Sequence, residues 1–219
     1  MAQLSTYAHA ILFTLAALLP IVNPLGTAPI FLSMTADLPI TARRHLALVV
    51  ARYSTLLLIA AMLIGSYVLE LFGVSLPIVR VGGGLLVTAN GWRLLNSDEK
   101  EIKAGGPVDA WEREAERRAF YPLTFPLTTG PGSVSVAITL GARAKHQSFE
   151  VVADLIGVVM VGLTVWFSYR FASKLIAYLG ETGTAVFLRL SSFILLCIGV
   201  SIIWSGLVDL IRPLLATGR

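Results

Sequence analysis

Three long stretches without a formal charge limit what this chain can fold into. Residues 10–36, 119–142 and 190–208 hold no Asp, Glu, Lys or Arg over 27, 24 and 19 residues. A helix of about 20 apolar residues spans the roughly 30 Å hydrocarbon core of a bilayer. Hydrophobic residues make up 56% of the chain and charged residues 14%, whereas soluble domains carry about 25% charged residues. The sequence therefore predicts an all-α polytopic membrane protein, and it argues against a soluble enzyme, a nucleic-acid binder and a disulfide-stapled secreted domain.

The distribution of apolar residues predicts six transmembrane helices in two groups of three. The chain divides into a first three-helix group at 1–95, a linker at 96–120 with seven acids and five bases, and a second three-helix group at 121–219. The six predicted spans are 8–33, 46–69, 75–95, 121–142, 150–170 and 186–208.

The Lys and Arg residues between the predicted spans set the expected orientation. The loops after the first, third and fifth spans carry ten of them, and the opposite side carries four. The positive-inside rule places the side richer in Lys and Arg in the cytoplasm. We therefore expect the linker to be cytoplasmic and both termini to be periplasmic. Residues that flank spans explain the net charge of +4, so no nucleic-acid partner is expected.

The two halves share a proline-rich segment at a constant separation. Residues 20–29 align with 122–131 at an offset of 102, where three prolines, one leucine and one threonine coincide. Because each half has an odd number of predicted spans, the second half enters the membrane in the opposite sense. The pattern predicts two inverted-topology three-helix repeats, the plan of many secondary transporters. The alternative is that both proline clusters merely kink their helices.

The proline clusters also predict that the first and fourth helices are discontinuous. Proline removes a backbone donor and clashes with the preceding turn, so we expect breaks within 20–29 and 122–132, near the middle of the membrane. Freed backbone groups are tolerated there only beside protein or a polar cavity, and the N-terminus of a half-helix attracts a carboxylate. The predicted site for a small zwitterionic solute comprises polar and glycine residues from both segments: Asn23, Gly26, Thr27, Thr128, Thr129, Gly130, Gly132 and Ser133.

Polar residues outside the two proline-rich segments give less specific indications of function. Asp154, near the start of the fifth span, is a candidate for coupling to a proton or sodium gradient, since ionisable residues within spans are functional candidates. The alternatives are that it lies at the membrane interface or pairs with a cation. Asn90 is expected to hydrogen-bond a neighbouring helix, and contact with the substrate is the alternative. The three His residues are scattered and Cys197 is the single cysteine, so neither a metal site nor another cofactor is expected. No nucleophile with a base at workable spacing indicates an enzyme.

The motifs in the proline-rich segments resemble those of the MarC family of bacterial integral membrane proteins, also called the neutral amino acid transporter family. They are Asn-Pro-Leu-Gly at 23–26 with Pro-Ile-Phe at 29–31, Pro-Leu-Thr-Thr-Gly-Pro-Gly at 126–132, and Arg-Val-Gly-Gly-Gly-Leu-Leu at 80–86. The resemblance covers nearly the whole chain. It implies six spans, a bacterial inner membrane location and, for some members, transport of small neutral amino acids such as alanine and glycine.

Two functional hypotheses follow from these features. The first is a secondary transporter that moves small neutral amino acids by alternating access, with the solute between the broken first and fourth helices and the bilayer as its other partner. No ATP-binding motif is present, so a gradient or a partner must supply the energy. The second is a non-transporting membrane scaffold or stress-response protein that acts through the linker 96–120. Either hypothesis is compatible with a homo-oligomer.

Overall fold

The structure, a computed structural model, describes residues 2–35, 38–96, 118–144 and 148–216. Every regular element in these ranges is a helix. Residues 97–117, most of the predicted charged linker, lie outside the described residues. The helices are α1 (Ala2–Val22), α2 (Pro24–Met34), α3 (Ile40–Leu71), α4 (Leu76–Asn96), α5 (Ala119–Thr128, wound as a π-helix), α6 (Pro131–Ala144), α7 (Ser148–Arg170) and α8 (Ala172–Ala216).

Four helical stretches in the described ranges are long and apolar enough to cross a membrane, where the sequence predicted six spans. They correspond to the first, second, fifth and sixth predicted spans. The third, α4, includes Arg80, Arg93 and the three glycines of 82–84, which make it less apolar. The fourth is divided, and its second part, α6, has only 14 residues. The four qualifying stretches are Tyr7–Leu32, Ile40–Leu71, Glu150–Arg170 and Thr182–Arg212.

The first predicted span is interrupted at a single residue, Asn23, which separates α1 from α2. Its φ of 45° lies in the left-handed region that few non-glycine residues adopt, and Pro24 begins α2, a position where a missing N–H does no harm. The Asn23 N–H still donates to the Leu19 carbonyl at 2.8 Å, and the Thr27 N–H donates to the Asn23 carbonyl at 3.0 Å. The break is therefore narrower than the predicted interval 20–29, because helical hydrogen bonds continue across it.

The fourth predicted span, which contains α5 and α6, is interrupted more strongly. Tyr121 and Phe125 have extended backbone angles inside α5, as expected for residues that precede proline, whose ring excludes the helical region for its neighbour. The Thr129 N–H closes α5 by donating to the Thr124 carbonyl at 2.7 Å. Thr129 and Gly130 then separate α5 from α6, so this break falls within the predicted interval 122–132.

The helices pack around a buried centre formed by α3 and α7. Helix α3 contacts α5, α6 and α7, while α7 also contacts α1 and α2. Aliphatic and small side chains of α3, such as Ala47, Val50 and Leu58, are buried there together with Val161 and Val165 of α7. Many large apolar side chains elsewhere in the described ranges are exposed, as expected where a helix faces lipid.

Helices α4 and α8 lie against each other along a seam of four glycines. A Cβ atom added to Gly91 would lie 2.6 Å from the Leu196 nitrogen, and one added to Gly84 would lie 2.8 Å from the Ile203 nitrogen. Gly199 and Gly206 of α8 approach the backbone of α4 equally closely. Since rising numbers in α4 meet falling numbers in α8, the two helices are antiparallel. Small residues permit this close contact between membrane helices.

Helix α8 is longer than the predicted sixth span because it begins 14 residues earlier, at Ala172 instead of 186. Gly180 has a φ of 68° and bends the helix. A glycine fits this position because its lack of a Cβ removes the penalty of the left-handed region. The stretch 172–179 is therefore turned relative to the apolar stretch that follows.

Candidate functional site

A cavity of about 370 Å³ lies between the two helix interruptions. Six of the eight residues predicted to bind a solute line this cavity, and two, Gly26 and Thr129, do not. Met34, the last residue of α2, and Leu94, near the end of α4, also line it, so the cavity extends from the breaks towards these helix ends. The six are Asn23, Thr27, Thr128, Gly130, Gly132 and Ser133.

Asn23 caps the helix that follows it. Its side-chain Oδ1 accepts the Gly26 N–H at 3.2 Å, which is the bond that an N-cap residue makes to the third residue of a helix. A Cβ atom on Gly26 would lie 2.3 Å from Asn23 Nδ2 and 2.7 Å from its Cγ and Oδ1. Gly26 thus makes room for the side chain of Asn23 rather than for a solute. With the Thr27 N–H also bonded to the Asn23 carbonyl, the first turn of α2 has few donors left for a ligand.

The first turn of α6 differs because no side chain caps it. Pro131 has no N–H, and within the described residues the N–H groups of Gly132 and Ser133 have no acceptor. The Ser133 hydroxyl donates to the Gly130 carbonyl at 2.8 Å. Unpaired N–H groups and the positive end of the helix dipole favour an anionic group at this place. Of the two predicted anion-binding helix ends, the cavity therefore has only the second.

A buried tyrosine that sequence reasoning missed joins the two breaks. The Tyr169 hydroxyl donates to Thr27 Oγ1 at 2.9 Å and lies 2.7 Å from Thr128 Oγ1. Its ring stacks on Phe31 with centroids 4.3 Å apart, and 2% of the residue is exposed. The signal in the sequence was a single phenol near the end of an apolar span, which by itself does not reveal partners that are more than 40 residues away.

Two polar residues of α4, Asn90 and Arg93, also line the cavity. The sequence favours helix packing for Asn90, but its place in the cavity wall makes it a candidate ligand contact. Arg93 was counted only as a cytoplasmic loop charge, and within the described residues it has no ion-pair partner. Among the lining residues that the structure describes there is no Asp or Glu. The described part of the wall therefore carries one cation, Arg93, and several polar groups.

Thr129 lies outside the cavity wall, and Gly132 has a structural role in addition to its place in the wall. Thr129 is fully buried, and its hydroxyl has no hydrogen-bond partner among the described residues. Gly132 lines the cavity, but a Cβ atom there would lie 1.9 Å from Val87 Cγ2 and 3.3 Å from the Gly83 carbonyl oxygen. Gly132 therefore also allows α6 to approach α4.

Asp154 lies outside the cavity wall and pairs with Arg143, whose side chain is 40% exposed. None of the Asp154 side chain is exposed, its Oδ1 accepts the Thr14 hydroxyl at 2.5 Å, and Arg143 Nη2 lies 3.4 Å from both carboxylate oxygens. The Arg143 guanidinium also lies 4.3 Å from the centre of the Phe13 ring, a cation–π distance. The predicted alternative of pairing with a cation is the arrangement found, and it connects α1, α6 and α7.

A second ion pair joins the start of α4 to the end of α8. Arg80 Nη1 lies 2.5 Å from Asp209 Oδ2, and Arg80 Nε lies 3.5 Å from Thr139 Oγ1 of α6. Arg80 and Arg93 are 13 residues apart in one helix, which corresponds to about 20 Å along its axis. Asp154 and Tyr169 are similarly separated along α7. Both ion pairs therefore lie at one end of the molecule, and the cavity leads to the other.

Comparison with known proteins agrees with these membrane features. The profile described as MarC family integral membrane protein matches residues 8–211. Inner membrane proteins named MarC from Escherichia coli K12 and from Shigella flexneri are each 30% identical over 207 residues, covering 90% of this chain and 94% of the relative. No solved structure matches the chain. With four apolar helices that are long enough to span a bilayer, the chain is a multi-pass inner membrane protein that belongs to the MarC family.

Proposed function

We propose that the protein is a secondary transporter that moves small neutral amino acids, of the alanine and glycine type, across the inner membrane by alternating access. The observation that carries the proposal is the cavity between the two helix interruptions, lined by polar groups from both halves of the chain. Its volume of about 370 Å³ lies at the small end of the range for ligand sites, about 300–1,000 Å³. A small solute with few apolar atoms fits such a space.

The helix contacts support six spans arranged as two inverted repeats. In this arrangement α1–α2, α3 and α4 correspond to α5–α6, α7 and α8. The contacts between them are reciprocal: α1 and α2 pack on α7 while α5 and α6 pack on α3, and α2 packs on α8 while α6 packs on α4. The antiparallel contact of α4 with α8 has the direction that an in-plane two-fold axis requires. The short α6 and the glycine-rich α4 are the two spans that length and hydropathy alone do not identify.

We place the solute carboxylate at the start of α6. The N–H groups of Gly132 and Ser133 supply hydrogen bonds there, and Arg93 supplies a positive charge at the same cavity. The start of α2 is unsuitable because Asn23 already occupies its donors. This assignment gives the two interruptions different tasks, although their sequences are alike.

The two ion pairs suggest which side is closed. Arg80–Asp209 and Arg143–Asp154 join helices at the end away from the cavity, so that a solute cannot leave there while they hold. With the linker in the cytoplasm and both termini in the periplasm, the cavity faces the cytoplasm. Opening the other side requires that these ion pairs separate, which is the change expected of an alternating-access cycle.

Asp154 is our candidate for the coupling site, acting through its ion pair rather than through contact with the solute. A proton bound to Asp154 removes the charge that faces Arg143, and it therefore weakens the connection of α6 to α7. A pH gradient can then drive the change of conformation. Sodium coupling is the other candidate, and the two differ in which imposed gradient drives uptake.

Flux measurements test the proposal directly. Purified protein in liposomes should take up labelled alanine or glycine, and a pH or sodium gradient should change the uptake. Gly130→Leu should abolish the uptake, because a leucine side chain at this lining position occupies space in the cavity. Gly82→Leu is the matched control, because a Cβ there has no atom within 4 Å. Folded wild-type protein that gives no more flux than empty liposomes would contradict the proposal, and full flux through Gly130→Leu would contradict the position of the site.

A further inference from the structure

The hydroxyl groups that join the two interruptions share a fixed number of protons. Thr27 Oγ1 lies 3.0 Å from the Asn23 carbonyl oxygen, Tyr169 Oη lies 2.9 Å from Thr27 Oγ1 and 2.7 Å from Thr128 Oγ1, and Thr128 Oγ1 lies 2.6 Å from the Leu123 carbonyl oxygen. These are four short contacts between oxygen atoms, and only three hydroxyl protons are available to fill them. Each hydroxyl has one proton to donate, and a carbonyl oxygen can only accept.

It follows that none of the three protons is left for a solute. Tyr169 donates to Thr27, Thr27 donates to the Asn23 carbonyl, and the proton of Thr128 lies between Tyr169 and the Leu123 carbonyl. Reversing the donor between Tyr169 and Thr128 leaves the count unchanged. Both threonines line the cavity, and each hydroxyl oxygen has two lone pairs. Towards a solute in the cavity these two hydroxyls can therefore act only as acceptors.

We propose that Thr27 and Thr128 bind the ammonium group of the solute, and that Tyr169 is the positioning residue that holds their hydroxyls as acceptors. The inference rests on the proposed transport of amino acids and deepens it by giving the solute one orientation. The cavity then has an acceptor end at Tyr169 and a donor end at α6 and Arg93. This polarity matches a zwitterion, and a solute without an ammonium group leaves the acceptor end unpaired.

The arrangement also explains how an amino group is recognised by a wall whose described residues include no acid. An ammonium needs acceptors, and no Asp or Glu is found in that part of the lining. Two hydroxyls whose protons are committed elsewhere provide such acceptors without adding charge. Tyr169 is suited to this role because the Phe31 stacking and its burial fix the position of its ring.

Competition binding to the purified full-length protein in detergent tests this assignment. Labelled alanine is displaced by unlabelled alanine and by propionate, which keeps the carboxylate and lacks the ammonium. The measured quantity is the preference for alanine over propionate, since a partly misfolded sample loses both ligands equally. Thr27→Val, Thr128→Val and Tyr169→Phe are compared with Thr164→Val as the control. Among the described residues, the Thr164 hydroxyl donates to the Val161 carbonyl of its own helix.

Wild-type protein should prefer alanine, and Thr128→Val should lower this preference about 10-fold or more, the factor typical of one hydrogen bond to a charged group. Tyr169→Phe should lower it less, because both threonines remain, and Thr164→Val should leave it unchanged. An equal loss of alanine and propionate in Thr27→Val and Thr128→Val would overturn the assignment while leaving the transport proposal intact. Wild-type protein that binds neither alanine nor glycine would overturn both.

Discussion

Replacing Gly26 by alanine tests the role that the structure gives to the first interruption. The added Cβ would lie 2.3 Å from Asn23 Nδ2 and 2.7 Å from Asn23 Oδ1, so the Asn23 side chain must move. Its bond to the Gly26 N–H, 3.2 Å long, is then lost. Leaving a buried N–H unpaired costs about 1–3 kcal/mol. The better helix propensity of alanine offsets at most about 1 kcal/mol of this.

Gly82→Ala is the matched control for that substitution. Gly82 also lies within a helix, and a Cβ there has no atom within 4 Å. The Gly82→Ala variant gains the same helix propensity, about 1 kcal/mol, and its new Cβ collides with no other atom. The expected difference in the free energy of unfolding between the two variants is therefore about 1–3 kcal/mol, with Gly26→Ala less stable.

Unfolding of both variants by denaturing detergent in mixed micelles measures this difference. Asn23→Ala in the Gly26→Ala background provides a further check, because a cap that is already lost cannot be lost again. Equal stability of Gly26→Ala and Gly82→Ala would refute the capping argument. It would return Gly26 to the role predicted from the sequence, close approach of a solute.

Three further predictions concern positions away from the cavity, and the same unfolding assay measures each of them. Asp154→Asn should lower the free energy of unfolding by about 1–3 kcal/mol. This effect should not add to that of Arg143→Met, because the two residues form one ion pair. Additive effects would show that the two residues are not coupled. Gly141→Ala should lower the free energy of unfolding by about 1–3 kcal/mol, since the new Cβ would lie 1.7 Å from the Met62 carbonyl oxygen. Wild-type stability in this variant would mean that α3 and α6 separate easily. Gly180→Ala should lower the free energy of unfolding by about 1–2 kcal/mol, because an L-residue is strained at a φ of 68°. An unchanged free energy of unfolding would contradict a positive φ at residue 180 of α8.

The helices and their interruptions were largely predictable from local sequence. Charge-free apolar runs specify helices whatever their partners are, and each predicted span overlaps an observed helix. The break at Asn23 is narrower than predicted because the asparagine side-chain oxygen accepts the Gly26 N–H and the backbone hydrogen bonds continue on both sides of Asn23. The number of spans that qualify by length and hydropathy fell from six to four, because such criteria reject a helix that is divided or rich in glycine.

The cavity was predictable only in part, because its wall combines segments that are far apart in the chain. Six residues were found from the two proline-rich motifs, which mark where backbone is irregular. Tyr169 and Arg93 were missed because they lie in regular helix outside both motifs, and only the packing of α4 and α7 brings them to the breaks. The role of Gly26 depends on the rotamer of Asn23, which a sequence pattern does not contain.

The glycine seam between α4 and α8 has a consequence for motion. Helices whose backbones touch at Gly84, Gly91, Gly199 and Gly206 cannot slide past each other, because a small shift brings a side chain against the opposite backbone. The pair therefore behaves as one stiff rod with one helix from each half. In the proposed transport cycle the two halves would turn about this rod, so that the gap that narrows at one membrane face widens at the other.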